Sequence, residues 1–192
     1  MPHDTSPPAP DSDDDCASRF DQWTSAHVAV LYRVAYRLLG DAHDAEDVLQ
    51  ETFRSAWTSR HLYEPSRSER AWLLGILKRR AADHWRRNGG SPAALGDESA
   101  RLVAPPGPEP LADVLSARMQ RALAALSVEL RETLLLVVVG ELTHQEAADL
   151  LGIPLGTVLS RVSRARAQLR EQFVAAPAQG PRPAGPSQAR GR

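Results

Sequence analysis

The stretch from Thr143 to Arg170, THQEAADLLGIPLGTVLSRVSRARAQLR, constrains this chain more than any other, because it punctuates two short helices in close succession. Thr143 has Glu146 three residues on, the spacing at which a hydroxyl and a carboxylate can each satisfy an unpaired backbone N–H at a helix start. Gly152 stops that helix. Ile153 and Pro154 make the corner, since proline disfavours helical geometry in the residue before it and suits the first position of a second helix. A helix-turn-helix is expected. In its second helix Val158, Val162, Ala165 and Leu169 share one face at about 100° per residue and must pack inward. Thr157, Ser160, Arg161, Arg164 and Gln168 make one outer flank, and Ser163, Arg166 and Arg170 another, with no acid before Glu171. Hydroxyls beside guanidinium forks suit the DNA major groove, where arginine grips guanine edges or phosphates and small residues permit close approach. A solvated amphipathic helix also carries arginines, but capping box, glycine stop, Ile-Pro corner and acid-free flanks coincide here, which favours DNA reading.

That basic character is local. Across 192 residues, 23 Lys+Arg stand against 24 Asp+Glu, so the whole molecule is no generic polyanion binder. A hydrophobic content of 42% suffices for one or two modest cores. Cys16 is the only cysteine, which excludes an internal disulfide and a cysteine-cluster metal site and fits a reducing cytoplasm. The N-terminus has neither a basic start nor an apolar core, and the longest strongly apolar run, Leu134 to Val139, is far too short to cross a bilayer. A soluble protein without membrane insertion is expected.

In chain order, residues 1–18 are rich in Pro, Ser and Asp and read as a disordered acidic leader. From Phe20 to Leu39, Val28, Leu31, Val34, Ala35 and Leu38 recur at helical spacing, with Gly40 as a stop. Asp41 can cap a second helix whose buried stripe is Ala45, Val48, Leu49, Phe53, Ala56 and Trp57. Its other side is acidic: Asp44, Asp47, Gln50, Glu51, then Arg54. Pro65 and several serines mark a loop between Thr58 and Glu69. A third helix, Arg70 to Arg87, has Trp72, Leu73, Ile76 and Leu77 as core residues and a basic far end of Lys78, Arg79, Arg80, Arg86 and Arg87, with His84 and Trp85 interleaved. Cations beside an aromatic suit strand-separated nucleic acid, where phosphates are neutralised and a base finds a flat apolar surface; Trp85 could equally be core.

Residues 88–110 form a Pro/Gly-rich linker on composition. Beyond it, Val114, Leu115, Met119, Leu123 and Leu126 mark another helix, and Ser127 can cap a further one with Leu130, Leu134, Leu135 and Val138 inward. The run Leu134 to Val139 has strand propensity, but no partner strand exists and Gly140 ends it where the next helix must begin, so helix is preferred. The tail from 175 to 192 carries no expectation of order. The expected fold is all-α: two small helical domains, 19–87 and 111–174, joined by a flexible Pro/Gly-rich linker, the C-terminal one a helix-turn-helix.

Three segments carry a family resemblance: LYRVAYRLLGDAHDAEDVLQETFRSAW from Leu31 to Trp57, RAWLLGILKRRAADHWRR from Arg70 to Arg87, and the run from about Ala125 to Arg170. In this order and on either side of a linker, they resemble the ECF-type RNA polymerase sigma factors of the sigma-70 family. The resemblance implies that the acidic stripe of Asp47, Gln50, Glu51 and Arg54 docks on the clamp helices of the polymerase beta-prime subunit. It implies that the loop from about Ser59 to Glu69 and the helix bearing Lys78, Arg79, Arg80, His84, Trp85, Arg86 and Arg87 capture the -10 promoter element as its strands separate. The helix-turn-helix would read the -35 element through Thr157, Ser160, Arg161, Ser163, Arg164 and Arg166, and the surface around it would touch the beta flap. An anti-sigma factor is a further partner that the family suggests.

The chain departs from the family pattern at several positions. Arg79 stands where many relatives have asparagine, Leu159 where a lysine is usual, Ser163 where histidine is frequent, Ser127 where a proline is common, and Trp85 where a smaller aliphatic is typical. The missing lysine should remove about one phosphate contact and lower the salt slope accordingly. No catalytic constellation, metal pattern or cofactor loop stands out: the serines lack a His/Asp pairing, His27, His43, His61 and His84 fit no metal spacing, and there is no glycine-rich phosphate loop. Binding rather than bond-making is expected. A free-standing dimeric regulator would leave the acidic and basic helices of the first half without a role, and a nucleic-acid enzyme would want clustered metal-binding carboxylates.

Overall fold

The computed structural model describes residues 13–88 and 110–175, and among them it contains seven α-helices and no strand. The linker expected at 88–110, apart from its two end residues, and the tail beyond Ala175 lie outside the described residues, as do residues 1–12.

The first unit is a three-helix bundle of α1 (Asp13–Leu39), α2 (Ala42–Thr58) and α3 (Glu69–Arg87). Helix α1 reaches back into the stretch expected to be without order. Gly40 (φ 81°) ends the helix, its N–H donating to the Tyr36 carbonyl at 2.9 Å. Asp41 then caps α2, accepting from the backbone N–H of His43 at 2.8 Å and of Asp44 at 3.0 Å. Ser68 caps α3 by accepting from Ala71 at 3.3 Å.

Leu31, Val34, Ala35, Leu38, Ala45, Val48, Leu73, Leu74, Ile76 and Leu77 make the buried centre of this unit. Each fully buried leucine or isoleucine contributes about 1.5–3 kcal/mol relative to exposure. Two expected core residues lie outside it: Val28 and Trp57 are 38% and 37% exposed. In α2 the inward place belongs instead to Thr52, which is fully buried because its hydroxyl donates to the Val48 carbonyl at 2.7 Å. Trp57 stands at the rim, edge-on to Phe20 at 5.1 Å with the Arg60 guanidinium 4.2 Å over its ring.

The second unit comprises α4 (Pro110–Ala124), α5 (Val128–Val138), α6 (His144–Leu151) and α7 (Leu155–Ala175). Ser127 caps α5, accepting from Leu130 at 3.4 Å, and the run from Leu134 is helical as expected through Val138. Val138 itself is 50% exposed while Leu136 is buried. The cause is that α5 is packed on two sides, with α7 on one and α1 on the other, so its apolar residues do not form a single stripe.

The sequence stops α5 at Gly140, though for a different reason than a left-handed backbone. The left-handed residue is Glu141 (φ 56°). Gly140 is needed for space: a Cβ there would stand 2.6 Å from the Leu136 carbonyl oxygen and 2.9 Å from Cδ1 of Leu74 on α3. The two units therefore pack on one another here, Leu74 against the α5 terminus. Polar contacts frame the seam. Glu141 pairs with Arg70 at 2.6 Å and Arg33 at 3.9 Å, and Lys78 with Glu132 at 3.6 Å. Gln120 of α4 donates to the carbonyls of Tyr36 and Arg37 at 3.2 Å each and accepts from the Arg37 guanidinium at 3.3 Å.

Partly exposed ion pairs each contribute at most about 1 kcal/mol beside the apolar contact of the seam, but like charges in their place would oppose that contact. Replacing both acids (Glu132→Lys with Glu141→Lys) places like charges opposite Lys78, Arg33 and Arg70. Small-angle scattering should then report a larger radius of gyration than for the parent chain, with helix content by circular dichroism preserved. An unchanged radius would show that the acids do not hold the units together.

Candidate nucleic-acid interface

The helix-turn-helix is assembled by local chemistry. Thr143 and Glu146 form the reciprocal cap: the Thr143 N–H donates to the Glu146 carboxylate at 2.8 Å, and the Glu146 N–H donates to the Thr143 hydroxyl at 3.1 Å. Gly152 ends α6 in a left-handed conformation (φ 65°), which glycine reaches without a Cβ penalty. Pro154 sits one residue earlier than expected, just before α7. Its carbonyl accepts from Thr157 at 2.8 Å and Val158 at 3.2 Å, and a residue without an N–H loses nothing at that position.

Val158, Val162 and Ala165 are buried and Leu169 half-buried, so α7 presents its remaining faces outward. Ser163, Arg164 and Arg166 are exposed, and Thr157, Ser160 and Arg161 half-buried. The Ser160 hydroxyl donates to the Thr157 carbonyl at 3.0 Å and accepts from the Arg164 guanidinium at 3.4 Å, which steers that arginine along the helix surface. Arg161, Arg164 and Arg166 form no ion pair among the described residues, so their charge is available to a polyanion. Leu155 and Leu159 are 40% and 48% exposed at the start of the same helix; the sequence marked Leu159 only for the lysine it replaces and left Leu155 unremarked. Their signal was legible: two leucines four apart, off the Val158/Val162/Ala165 face.

The basic end of α3 divides into outward and inward residues. Arg79, Arg86 and Arg87 are exposed; Arg86 pairs with Asp83. Arg80 is half-buried, its Nε donating to the Ser55 hydroxyl at 2.9 Å and its guanidinium reaching Asp83 at 3.3 Å. Lys78 faces the second unit through Glu132. His84 lies 3.3 Å from Asp44, its side chain 12% exposed, and Nε2 is 2.9 Å from the Asn88 amide. Trp85 is buried at 8% exposure, because it continues the inward row of Leu74, Leu77 and Ala81 at helical steps of three and four residues. It packs and offers no open ring to a base. The preceding loop is instead fastened by aromatics: Trp23, Tyr63 and Trp72 meet at 4.8, 5.6 and 5.3 Å, and the Tyr63 hydroxyl donates to the Arg67 carbonyl at 2.8 Å.

Beside this basic end, Asp47, Gln50 and Glu51 line an open groove of about 490 Å³ together with Asp44, His84, Arg87 and Asn88. Asp47 and Gln50 are exposed; Arg54 leans on Glu51, and His43 lies 3.9 Å from Asp47. The acidic stripe and the basic end of α3 thus border a common surface.

The sigma-70 region 2 family matches residues 24–90, and the sigma-70 region 4 family matches residues 116–169. An ECF RNA polymerase sigma factor of Cereibacter sphaeroides, RpoE, is 34% identical over 139 residues, spanning 69% of this chain and 74% of that one. The chain belongs to the ECF-type RNA polymerase sigma factors of the sigma-70 family. Sigma factor SigE of Mycolicibacterium smegmatis is 38% identical over 159 residues, 81% of this chain, and this sigma factor's match spans 62% of that protein's length. Among solved structures, the sigma factor RpoE in complex with the anti-sigma factor NepR from Bartonella quintana matches with a TM-score of 0.66 at 27% identity, covering 82% of this chain and 98% of that one. No described helix of this sigma factor is long and apolar enough to cross a membrane.

The cap that sets the helix-turn-helix has a pH signature. The Thr143 hydroxyl foremost, aided by the Thr143 N–H, Ser68 and the charge of Arg70, holds the Glu146 carboxyl below its ordinary range, against the opposing effect of burial. A depressed folded-state pKa adds stability that is present above the unfolded value, about 4.3, and is lost as pH falls through the folded one. Glu146→Gln keeps the hydrogen bonds of the cap and loses only its screened charge, so it should cost at most about 0.5 kcal/mol at neutral pH. In denaturant titrations that difference should shrink toward zero below about pH 4. A difference that stays constant with pH would rule out the carboxylate as its source.

Proposed function

We propose that this sigma factor joins core RNA polymerase through the acidic stripe of Asp47, Gln50, Glu51 and Arg54 on the beta-prime clamp helices. In this reading the basic end of α3, chiefly Arg79, Arg86 and Arg87 with Arg80, holds the -10 element as its strands part. Helix α7 reads the -35 element in duplex form. The observation that carries the reading is the charge state of α7: three arginines without ion pairs on a helix that buries only its apolar face. Its action is binding in the cytoplasm, without bond-making of its own. Holoenzyme reconstituted from purified protein and core polymerase, with sequencing of the RNA 5′ ends it makes, tests the reading: a defined subset of start sites sharing two upstream elements is expected. Specific binding to a palindromic duplex without polymerase would favour a free-standing regulator.

The packed arrangement of the two units cannot serve both elements at once. Positions -10 and -35 lie about 80 Å apart at 3.4 Å per base pair, so the seam at Glu141 and Leu74 must part on the promoter. The stretch from Asn88 to Pro110 can span about 75 Å when extended, and the units' own width makes up the rest. Once one unit is held, the other binds as an intramolecular event at high effective concentration. An anti-sigma factor that grips both units is a regulator compatible with this geometry; the sigma factor RpoE of Bartonella quintana is seen in complex with the anti-sigma factor NepR.

Charge reversal at the acidic stripe (Asp47→Lys with Glu51→Lys) should abolish association with core polymerase while circular dichroism stays unchanged, because both side chains are on the surface. Retained association would remove the stripe from the interface. Arg161→Ala or Arg164→Ala should cost about 1–3 kcal/mol of promoter affinity with relaxed preference at one upstream position if the arginine grips a base. An equal loss on every sequence assigns it to phosphate instead.

A further inference from the structure

The outer surface of α7 has two chemically different flanks. Thr157, Ser160, Arg161 and Arg164 form a polar and cationic one. The other begins with Leu155 and Leu159 and continues through Ser163 to Arg166 and Arg170, residues that fall on one side at steps of three and four. The leucines are 40% and 48% exposed, and a Cβ at the adjacent Gly156 would meet no atom within 4 Å, so nothing among the described residues covers this corner. Exposed leucine in the first two turns of a recognition helix is costly in water and uninformative toward phosphate. It has a partner in the major groove, where thymine alone carries an apolar group, the C5 methyl. The N-terminal residues of such a helix are those that meet base edges. Arg166 and Arg170, about two and three turns beyond Leu159, form no ion pair among the described residues and, with no acid before Glu171, hold the helix against the phosphates and so bring the leucines to that depth.

We propose that Leu155 and Leu159 form an apolar edge that reads thymine methyl groups in the upstream promoter element, making them specificity-determining residues of this sigma factor. The inference rests on α7 reading duplex DNA, and it goes further by naming the chemical group read. Arginine and serine on the other flank supply hydrogen bonds to base edges and phosphates. The leucines supply discrimination of thymine from cytosine, and of thymine from uracil, by a methyl contact alone.

The experiment uses holoenzyme and a promoter fixed by its RNA 5′ ends, with each thymine of the upstream element replaced singly by deoxyuridine, which removes only the methyl. The parent protein should lose about fourfold in affinity at one or two positions, the value of one buried methyl. Leu159→Ala and Leu155→Ala should each bind the parent promoter less tightly and lose their sensitivity to one of those replacements. Leu159→Lys should also lose it while steepening the salt dependence by about one phosphate contact. Parent protein that binds thymine and uracil duplexes equally at every upstream position, with the upstream element still required, overturns the methyl contact and leaves duplex reading by α7 intact. An upstream element that can be scrambled without effect overturns both. Weakened polymerase association in Leu159→Ala, with the uracil response unchanged, assigns the leucines to a protein contact and overturns the proposal.

Discussion

Everything outward about α7 depends on one narrow apolar seam. Val158, Val162 and Ala165 are buried against α5 and α6, and this fixes the rotation of a helix that would otherwise be free to turn. With that face committed, the arginines and the two leucines have nowhere to point but out. Local chemistry guards the seam: the cap at Thr143 and Glu146 starts α6, the left-handed Gly152 ends it, and the Pro154 carbonyl opens α7 within a few residues. Little of this needs long-range organisation, which is why so short a segment can present a whole recognition surface.

The first unit works by a related principle with opposite charge. Helix α2 buries Ala45, Val48, Leu49, Thr52 and Ala56 and leaves its acids outside; α3 buries a row ending in Trp85 and leaves its arginines outside. Because α2 and α3 pack side by side, the acidic and basic sets border one groove. Segregating charge in this way keeps the net charge of the chain at -1 while giving each surface a strong local field. The seam between units relies on charge as well, at lower strength. Glu132 and Glu141 pair with Lys78, Arg70 and Arg33, so Lys78, one of the cations the family resemblance put on the -10 side, is partly occupied while the units are together.

Much of the helix-turn-helix and most of the helical core were legible because they rest on short-range rules: period, cap and stop. The family resemblance was equally readable, since the segments that carry it are contiguous. The misses have a common cause. Trp57 and Val28 lie on apolar-looking stripes yet sit at the rim, where no neighbouring helix arrives to cover them. Val138 and Leu136 exchanged places because α5 serves two neighbours, which no single stripe encodes. Trp85 was ambiguous by sequence, and only the placement of α3 against the rest of the bundle makes it core.

By itself, the sequence determined where helices start and stop and which residue types gather on each, because capping, glycine conformation and hydrophobic period act over four residues or fewer. Only the tertiary structure decided which cations stay available and which are taken. Lys78 is committed to Glu132, His84 lies beside Asp44, and Arg161, Arg164 and Arg166 form no ion pair among the described residues. That decision depends on acids distant in the chain coming within about 4 Å, a distance at which Coulomb energy matters and which no local pattern specifies.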